Sequence, residues 1–297
     1  MTTRDHDVRL ADGRTLRIQD SGATQAPAVV FCHGTPGSRL LHERSLAAAA
    51  DAGLRLLAYD RPGCGGSTRQ PDRTVADAAA DVSAIADQLQ LGRFAVWGAS
   101  GGGPHALACA ALLADRVVAA AVVASPAPYD APGLDWFAGM AERNVQRFKL
   151  ALAGRGAMQP VLGQSAQAFV AADPAQSIAL FDPLLSPPDR AVLDTKLAGF
   201  QLAVFREAFA AGVEGWIEDD LAFVAPWGFD LGSLRVPMAV WHGEQDLAVP
   251  AAHGRWLAGA IPGAGLRLLA DDGHLSLIFG REREVVGWLA EQLHRER

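Results

Sequence analysis

Two textures of apolar residues run along the chain. Near the N-terminus, Asp7-Val-Arg-Leu10 and Arg14-Thr-Leu-Arg-Ile18 alternate polar and apolar residues about Asp12-Gly13. A period of two sends successive side chains to opposite faces, so these segments predict an antiparallel hairpin. The texture then changes. Ala28–Cys32 is an unbroken apolar run, and Leu54–Tyr59, Phe94–Trp97 and Val117–Val123 repeat it. Such runs suit strands covered on both faces. Between them lie stretches of helical texture: Leu40–Ala52, Thr74 to Leu91 with Thr74 as N-cap and Gly92 just past the end, and Leu107–Ala114. The alternation of strand and helix predicts an α/β fold with a parallel sheet and helices on both faces.

The rhythm stops at Ser125-Pro-Ala-Pro128 and returns at Pro237–Trp241, followed by a helix near Ala251–Ala260, a strand at Leu266–Leu269 and a closing helix from Arg281 to Leu293. Between the two blocks the pattern is helical. Val192, Leu193, Leu197, Phe200 and Val204 fall at helical spacing and predict one helix over Val192–Phe209. The organisation expected is therefore a core of residues 1–125 and 235–297, interrupted by a helical cap over 126–234.

Composition narrows the classes of function. At 297 residues with 50% hydrophobic and 20% charged content, the chain can bury a large core and is not disordered. Its net charge is −7, and it has no basic tract, which argues against a nucleic-acid or anionic-membrane partner. No apolar run reaches the roughly 18 residues a transmembrane helix needs, and Met1–Asp7 has no apolar signal core. Cys32, Cys64 and Cys109 lack metal-type spacing and cannot all pair, so a reduced cytoplasmic protein is the simplest expectation. No metal or other cofactor is expected: His42, His105, His242 and His253 form no ligand set, with His105 expected to pack. A small-molecule substrate is the expected partner, and a homodimer is left open.

The candidate chemistry sits just past the ends of predicted strands. Gly98-Ala-Ser-Gly-Gly102 fits G-x-S-x-G between a strand and a helix. A serine on so sharp a turn projects above the sheet, the glycines let strand and helix approach, and the N–H of Gly101 points at an oxyanion. The plainer alternative is a Gly-rich turn in which Ser100 caps a helix. His33-Gly34-Thr35-Pro36-Gly37 follows another buried strand, where the N–H of Thr35 would be the second oxyanion donor. His33 would orient that loop, which includes Gly34, through a side-chain hydrogen bond; an ordinary turn is the competing account. Asp246 follows the strand ending at Trp241, and His274 follows the last strand. Ser100, Asp246 and His274 could thus converge as nucleophile, acid and general base.

Together His33-Gly-Thr-Pro-Gly37, Asp60-Arg-Pro-Gly-Cys-Gly-Gly-Ser67, Gly98-Ala-Ser-Gly-Gly102, Trp241-His-Gly-Glu-Gln-Asp246 and Gly273-His274 resemble the α/β-hydrolase superfamily, in its capped serine hydrolase branch. The resemblance implies a sheet of about eight strands, the first two being the hairpin, with the cap between strands six and seven. It also implies that Asp60–Ser67 is mainly structural. Asp130 is the backup acid, since some members place it after the sixth strand. Serine at the elbow disfavours the related dehalogenases and epoxide hydrolases, which resemble this branch but use Asp there.

The cap holds nine of the twelve phenylalanines, together with Trp136, Trp216 and Trp227. Most of these are expected to pack and the rest to line an apolar pocket above Ser100. The acids Glu214, Glu218, Asp219 and Asp220 are expected to face solvent. If they faced the pocket they would hold a free amine, as in the proline iminopeptidases, although Thr35 stands where those enzymes typically have Gly. The expected activity is hydrolysis of a small, largely apolar ester through an acyl-enzyme. An aminopeptidase, a carbon–carbon bond hydrolase and, less favoured, a non-catalytic receptor are the alternatives.

Overall fold

Alternate residues of the central apolar runs go to opposite faces of one sheet. In Phe94-Ala95-Val96-Trp97, Phe94 and Val96 join one core layer while Ala95 and Trp97 join the other. Each fully buried large side chain of this kind contributes about 1.5–3 kcal/mol relative to exposure. The computed structural model describes residues 3–295; Met1 and Thr2, part of the N-terminal segment read above for a signal core, lie outside them, as do residues 296–297.

Eight strands form the sheet: β1 (Arg4–Arg9), β2 (Thr15–Asp20), β3 (Ala28–Cys32), β4 (Arg55–Tyr59), β5 (Phe94–Ala99), β6 (Val117–Val123), β7 (Met238–Gly243) and β8 (Gly265–Leu269). Their spatial order is β1-β2-β4-β3-β5-β6-β7-β8. β1 and β2 form the antiparallel hairpin, β2 meets β4 antiparallel, and all other neighbours are parallel. The helices are α1 (Glu43–Asp51), α2 (Asp77–Gln88), α3 (Gly102–Leu112), α4 (Glu142–Ala153), α5 (Arg155–Ala171), α6 (Pro174–Phe181), α7 (Pro187–Val192), α8 (Thr195–Ala208), α9 (Glu214–Val224), α10 (Ala251–Ala260), α11 (Leu275–Gly280) and α12 (Glu282–Arg295). Helices α4–α9 all lie between β6 and β7. Among the described residues no helix is long and apolar enough to cross a membrane.

Three local expectations need correction. The helix after β5 starts at Gly102, not at Leu107, because Pro104 falls in its first turn, where a missing N–H costs nothing. Helix α2 starts at Asp77; Thr74 is not its N-cap but donates its backbone N–H and its hydroxyl to Asp77 Oδ2, at 2.6 and 2.9 Å. The single helix expected over Val192–Phe209 is two. Asp194 sits extended at the N-cap of α8 and accepts the Leu197 N–H at 2.8 Å, ending α7 and starting the next axis. Replacing that cap by Asp194→Ala is expected to cost about 1 kcal/mol, read as a lower urea midpoint with an unchanged denaturant slope.

Candidate active site

Strand β5 ends at Ala99 and α3 begins at Gly102, leaving Ser100 on the turn with φ +52°. A non-glycine residue there stores about 1–3 kcal/mol of strain. The turn holds because its backbone is pinned: Ser100 N–H donates to Val123 O at 2.8 Å and Gly103 N–H to Ser100 O at 2.9 Å. It is also tight. A Cβ on Gly98 would lie 2.7 Å from the carbonyl carbon of Gly102, and one on Gly101 would lie 2.5 Å from Thr35 Oγ1.

The three residues expected to converge do so. Ser100 Oγ lies 3.0 Å from His274 Nε2, and His274 Nδ1 lies 2.7 Å from Asp246 Oδ2. The other Asp246 oxygen accepts the N–H groups of Ala248 and Val249, each at 2.8 Å, which fixes the carboxylate against rotation. Burial opposes charge on His274, but the Asp246 carboxylate outweighs it through charge and hydrogen bond, and the histidine pKa lies above its ordinary value. The backup acid Asp130 is exposed on the loop after β6 and is not the partner of His274. A residue the sequence did not single out, Asp189, anchors the histidine loop. This buried carboxylate on α7 accepts the N–H of His274 at 3.0 Å and that of Ser276 at 2.9 Å. No motif marks it, since its partners lie far along the chain.

The loop after β3 sits beside the elbow. His33 Nδ1 is 2.7 Å from Gly34 O, while the Arg61 N–H approaches Nε2 at 3.3 Å. That pattern requires Nδ1 to donate and Nε2 to accept, hence a neutral ring. Burial, reinforced by the Arg61 charge, holds the His33 pKa well below its usual value. Arg61 also donates to the carbonyls of His33 and Gly34 and to Thr35 Oγ1. The Asp60–Ser67 loop, read as mainly structural, thus supplies the arginine that holds the loop after β3.

The counter-charge to Arg61 comes from α9. Asp219 accepts from Arg61 Nε at 3.0 Å and from Thr35 Oγ1 at 2.6 Å, and it also pairs with Arg73. Burial alone would raise its pKa, but Arg61 and Arg73 reverse this and hold it well below the usual carboxylate range. His105 does more than pack: its Nε2 lies 3.5 Å from Asp219 Oδ1, and burial and Arg61 push its pKa down to about 4, so it stays neutral.

The expectation that the acid run faces solvent is overturned. Glu218, Asp219 and Asp220 are each 0% exposed. Glu218 pairs with Arg69 at 2.8 Å and Arg155 at 2.7 Å, and these arginines also hold Glu214. Nor does the run line the cavity above Ser100. The exception to this tight pairing is Asp220. Arg147 Nε lies 3.4 Å away, neither carboxylate oxygen has a hydrogen bond, and burial with the neighbouring Asp219 raises the pKa to about 7.

A cavity of about 500 Å³ lies over Ser100 and His274. Phe169, Phe181, Phe200, Phe205 and Trp216 of the insertion line it, whereas Trp136, Phe148, Phe223 and Trp227 pack into the core. Its polar lining includes Arg143 and Arg147 of α4, which the sequence did not single out.

The family model described as alpha/beta hydrolase fold matches residues 27–281, and the chain belongs to that family. Epoxide hydrolase A of Mycobacterium tuberculosis (strain ATCC 25618 / H37Rv) is 37% identical over 125 residues, covering 40% of this chain and 38% of that protein. The match thus spans well under half the length of that relative. A hydrolase from Pseudomonas aeruginosa PA01 superposes with a TM-score of 0.70 at 22% identity, over 97% of each chain. A thermophilic esterase from Thermogutta terrifontis superposes with 0.67 at 20% identity, over 99% of this chain and all of the other. At these identities the structural likeness speaks to the fold.

The two neighbouring acids should respond oppositely to neutralisation. Asp219→Ala leaves Arg61 and Arg73 buried without their counter-charge and should cost about 3–5 kcal/mol in urea unfolding. Asp220, with its raised pKa, keeps a proton that the unfolded chain gives up near pH 4, so it destabilises the fold increasingly as pH rises from there toward 7. Asp220→Asn should therefore melt above the wild type, by most above pH 7 and by less as pH falls toward 4.

Proposed function

We propose that the chain is a serine hydrolase that cleaves small, largely apolar carboxylic esters through an acyl-enzyme on Ser100. The observation that carries this reading is the continuous chain from Ser100 Oγ through His274 to Asp246, at 3.0 and 2.7 Å. His274 Nε2 takes the hydroxyl proton as Oγ attacks the carbonyl carbon. Asp246 steadies the imidazolium and keeps Nδ1 the donor. The N–H groups of Thr35 and Gly101 receive the oxyanion. The tetrahedral adduct collapses, the alkoxide leaves with the proton from His274, and a water repeats the sequence to release the acid.

The cavity supports esters over aminoacyl substrates. The cap acids that could hold a free amine, Glu214, Glu218 and Asp219, are engaged by arginines away from the cavity lining. An elbow serine argues against epoxide opening despite the partial match to an epoxide hydrolase, because that branch carries Asp at the nucleophile position. The likeness to an esterase fold agrees with the reading.

A fluorophosphonate should add one label, at Ser100. Labelling that survives Ser100→Ala, or none on the folded wild type, overturns the assignment. The acid limb of kcat/KM should inflect above the ordinary histidine value of 6.5, because His274 must be neutral to accept the proton and its pKa is raised. On the acyl side, each buried methylene is worth about 0.8 kcal/mol if its contact persists in the transition state. Butyryl and hexanoyl p-nitrophenyl esters should therefore exceed the acetate by about ten- to hundredfold in kcat/KM.

A further inference from the structure

Helix α4 turns an unexpected face to the cavity. Arg143, Gln146, Arg147 and Leu150 follow one another at helical spacing, and all line it. Two guanidiniums four residues apart repel, and in a space whose lining is mostly apolar that repulsion is weakly screened. Burial and the neighbouring Arg147 charge together lower the Arg143 pKa.

The two arginines differ in how they are compensated. Arg147 stacks on the Phe148 ring, 4.5 Å from its centroid, and has Asp220 behind it. Among the described residues Arg143 has no carboxylate partner. Its Nη1 donates to the Leu180 carbonyl and its guanidinium lies 5.7 Å from the Phe169 ring centroid. Its Nε and Nη2, the side-on pair that fits a carboxylate with two parallel bonds, have no acceptor among the described residues. Ring and carbonyl hold the guanidinium in place without neutralising it. Four residues of helix place Arg143 about 6 Å along the axis from Arg147. Among the described residues one acid, Glu282, lines the cavity. It lies on the core side, accepts from Ser45 and sits 3.4 Å from His42, so it is not the partner of Arg143.

We propose that the substrate of this site is an ester that carries a second, unreacting carboxylate, held by Arg143 with Arg147 adding charge. This rests on the ester-hydrolase reading above and narrows it: a largely apolar substrate also carries one anionic group. A single uncompensated fork, with apolar side chains around it, suits a carboxylate monoanion. The anion would lift the Arg143–Arg147 repulsion on binding, and a neutral ester of the same length would leave it in place.

Matched pairs of substrates test this. Phenyl esters of adipate, pimelate and suberate with a free distal carboxylate are compared with their distal methyl esters, and 4-butyryloxybenzoate with its methyl ester, following phenol release. In at least one pair the carboxylate should have a kcat/KM at least tenfold higher. That ratio should fall toward one in Arg143→Gln and be partly kept in Arg143→Lys, which retains a cation but not the fork. A wild type that favours the neutral member of every pair overturns the proposal while leaving the esterase reading intact. If no ester is turned over, the esterase reading fails and binding decides the anion site by itself. Calorimetric titration of the Ser100→Ala protein with the monoethyl esters of the same diacids should then show saturable binding that the diethyl esters lack and that Arg143→Gln abolishes. Equal binding of the two ester classes, or none of either, overturns it.

Discussion

A carboxylate with no access to water has to be matched by charge, and Asp219 is such a carboxylate. Its match is Arg61, buried to the same degree, and the consequences spread from that pair. Arg61 is tied by its own backbone N–H to His33 and by its guanidinium to the carbonyls of His33 and Gly34. Thr35 Oγ1 is shared between the two ions. Helix α9 of the insertion, the loop after β4 and the loop after β3 are therefore one electrostatic unit. The loop after β3 in turn packs on the elbow, where Gly101 admits Thr35 at a distance no Cβ would tolerate. Moving α9 would move the backbone beside Ser100.

A second tie of the same kind runs from the insertion to the histidine. Asp189 caps the short helix α11 by accepting from His274 and Ser276, so His274 is positioned by α7 as well as by Asp246. Gly273 belongs to this arrangement, since a Cβ there would lie 2.5 Å from an Asp189 oxygen. The insertion thus does more than roof the cavity. It supplies one buried carboxylate to the loop after β3 and another to the histidine loop, and Ser100 between them rests on the sheet through Val123.

The fold was legible because its signals are local. Period-two alternation marked the hairpin, and unbroken runs such as Val117–Val123 marked strands covered twice. The convergence of Ser100, Asp246 and His274 was legible because each follows a strand in a parallel sheet, whose carboxyl ends share one edge. What stayed hidden depends on partners distant in sequence. The acids of α9 read as a solvated face because their counter-charges, Arg61, Arg69 and Arg73, lie about 150 residues earlier, consistent with the separations of these bonds. Asp189 was silent for the same reason. The break between α7 and α8 was missed because Leu193 and Leu197 keep helical spacing across it, while the cap geometry at Asp194 comes from one side-chain bond.

Charge placement divides the insertion into two faces with different work. Toward the core, α9 presents acids that meet arginines of the loops, and every charge but that of Asp220 is well matched. Toward the cavity, α4 presents arginines whose compensation is incomplete, since among the described residues the carboxylate that pairs with Arg147 is the one whose pKa is raised to about 7. A protein interior favours neither arrangement for its own sake: matched buried ions are often no more stable than apolar residues of the same volume, and unmatched ones are worse. The matched face is explained by position, because it fixes two loops that a shift of 1 Å would spoil. The unmatched face has no such structural return. Arg143 closes no ion pair among the described residues, and it lines a space sized for a small molecule, so the charge that completes it is one that arrives from outside the chain.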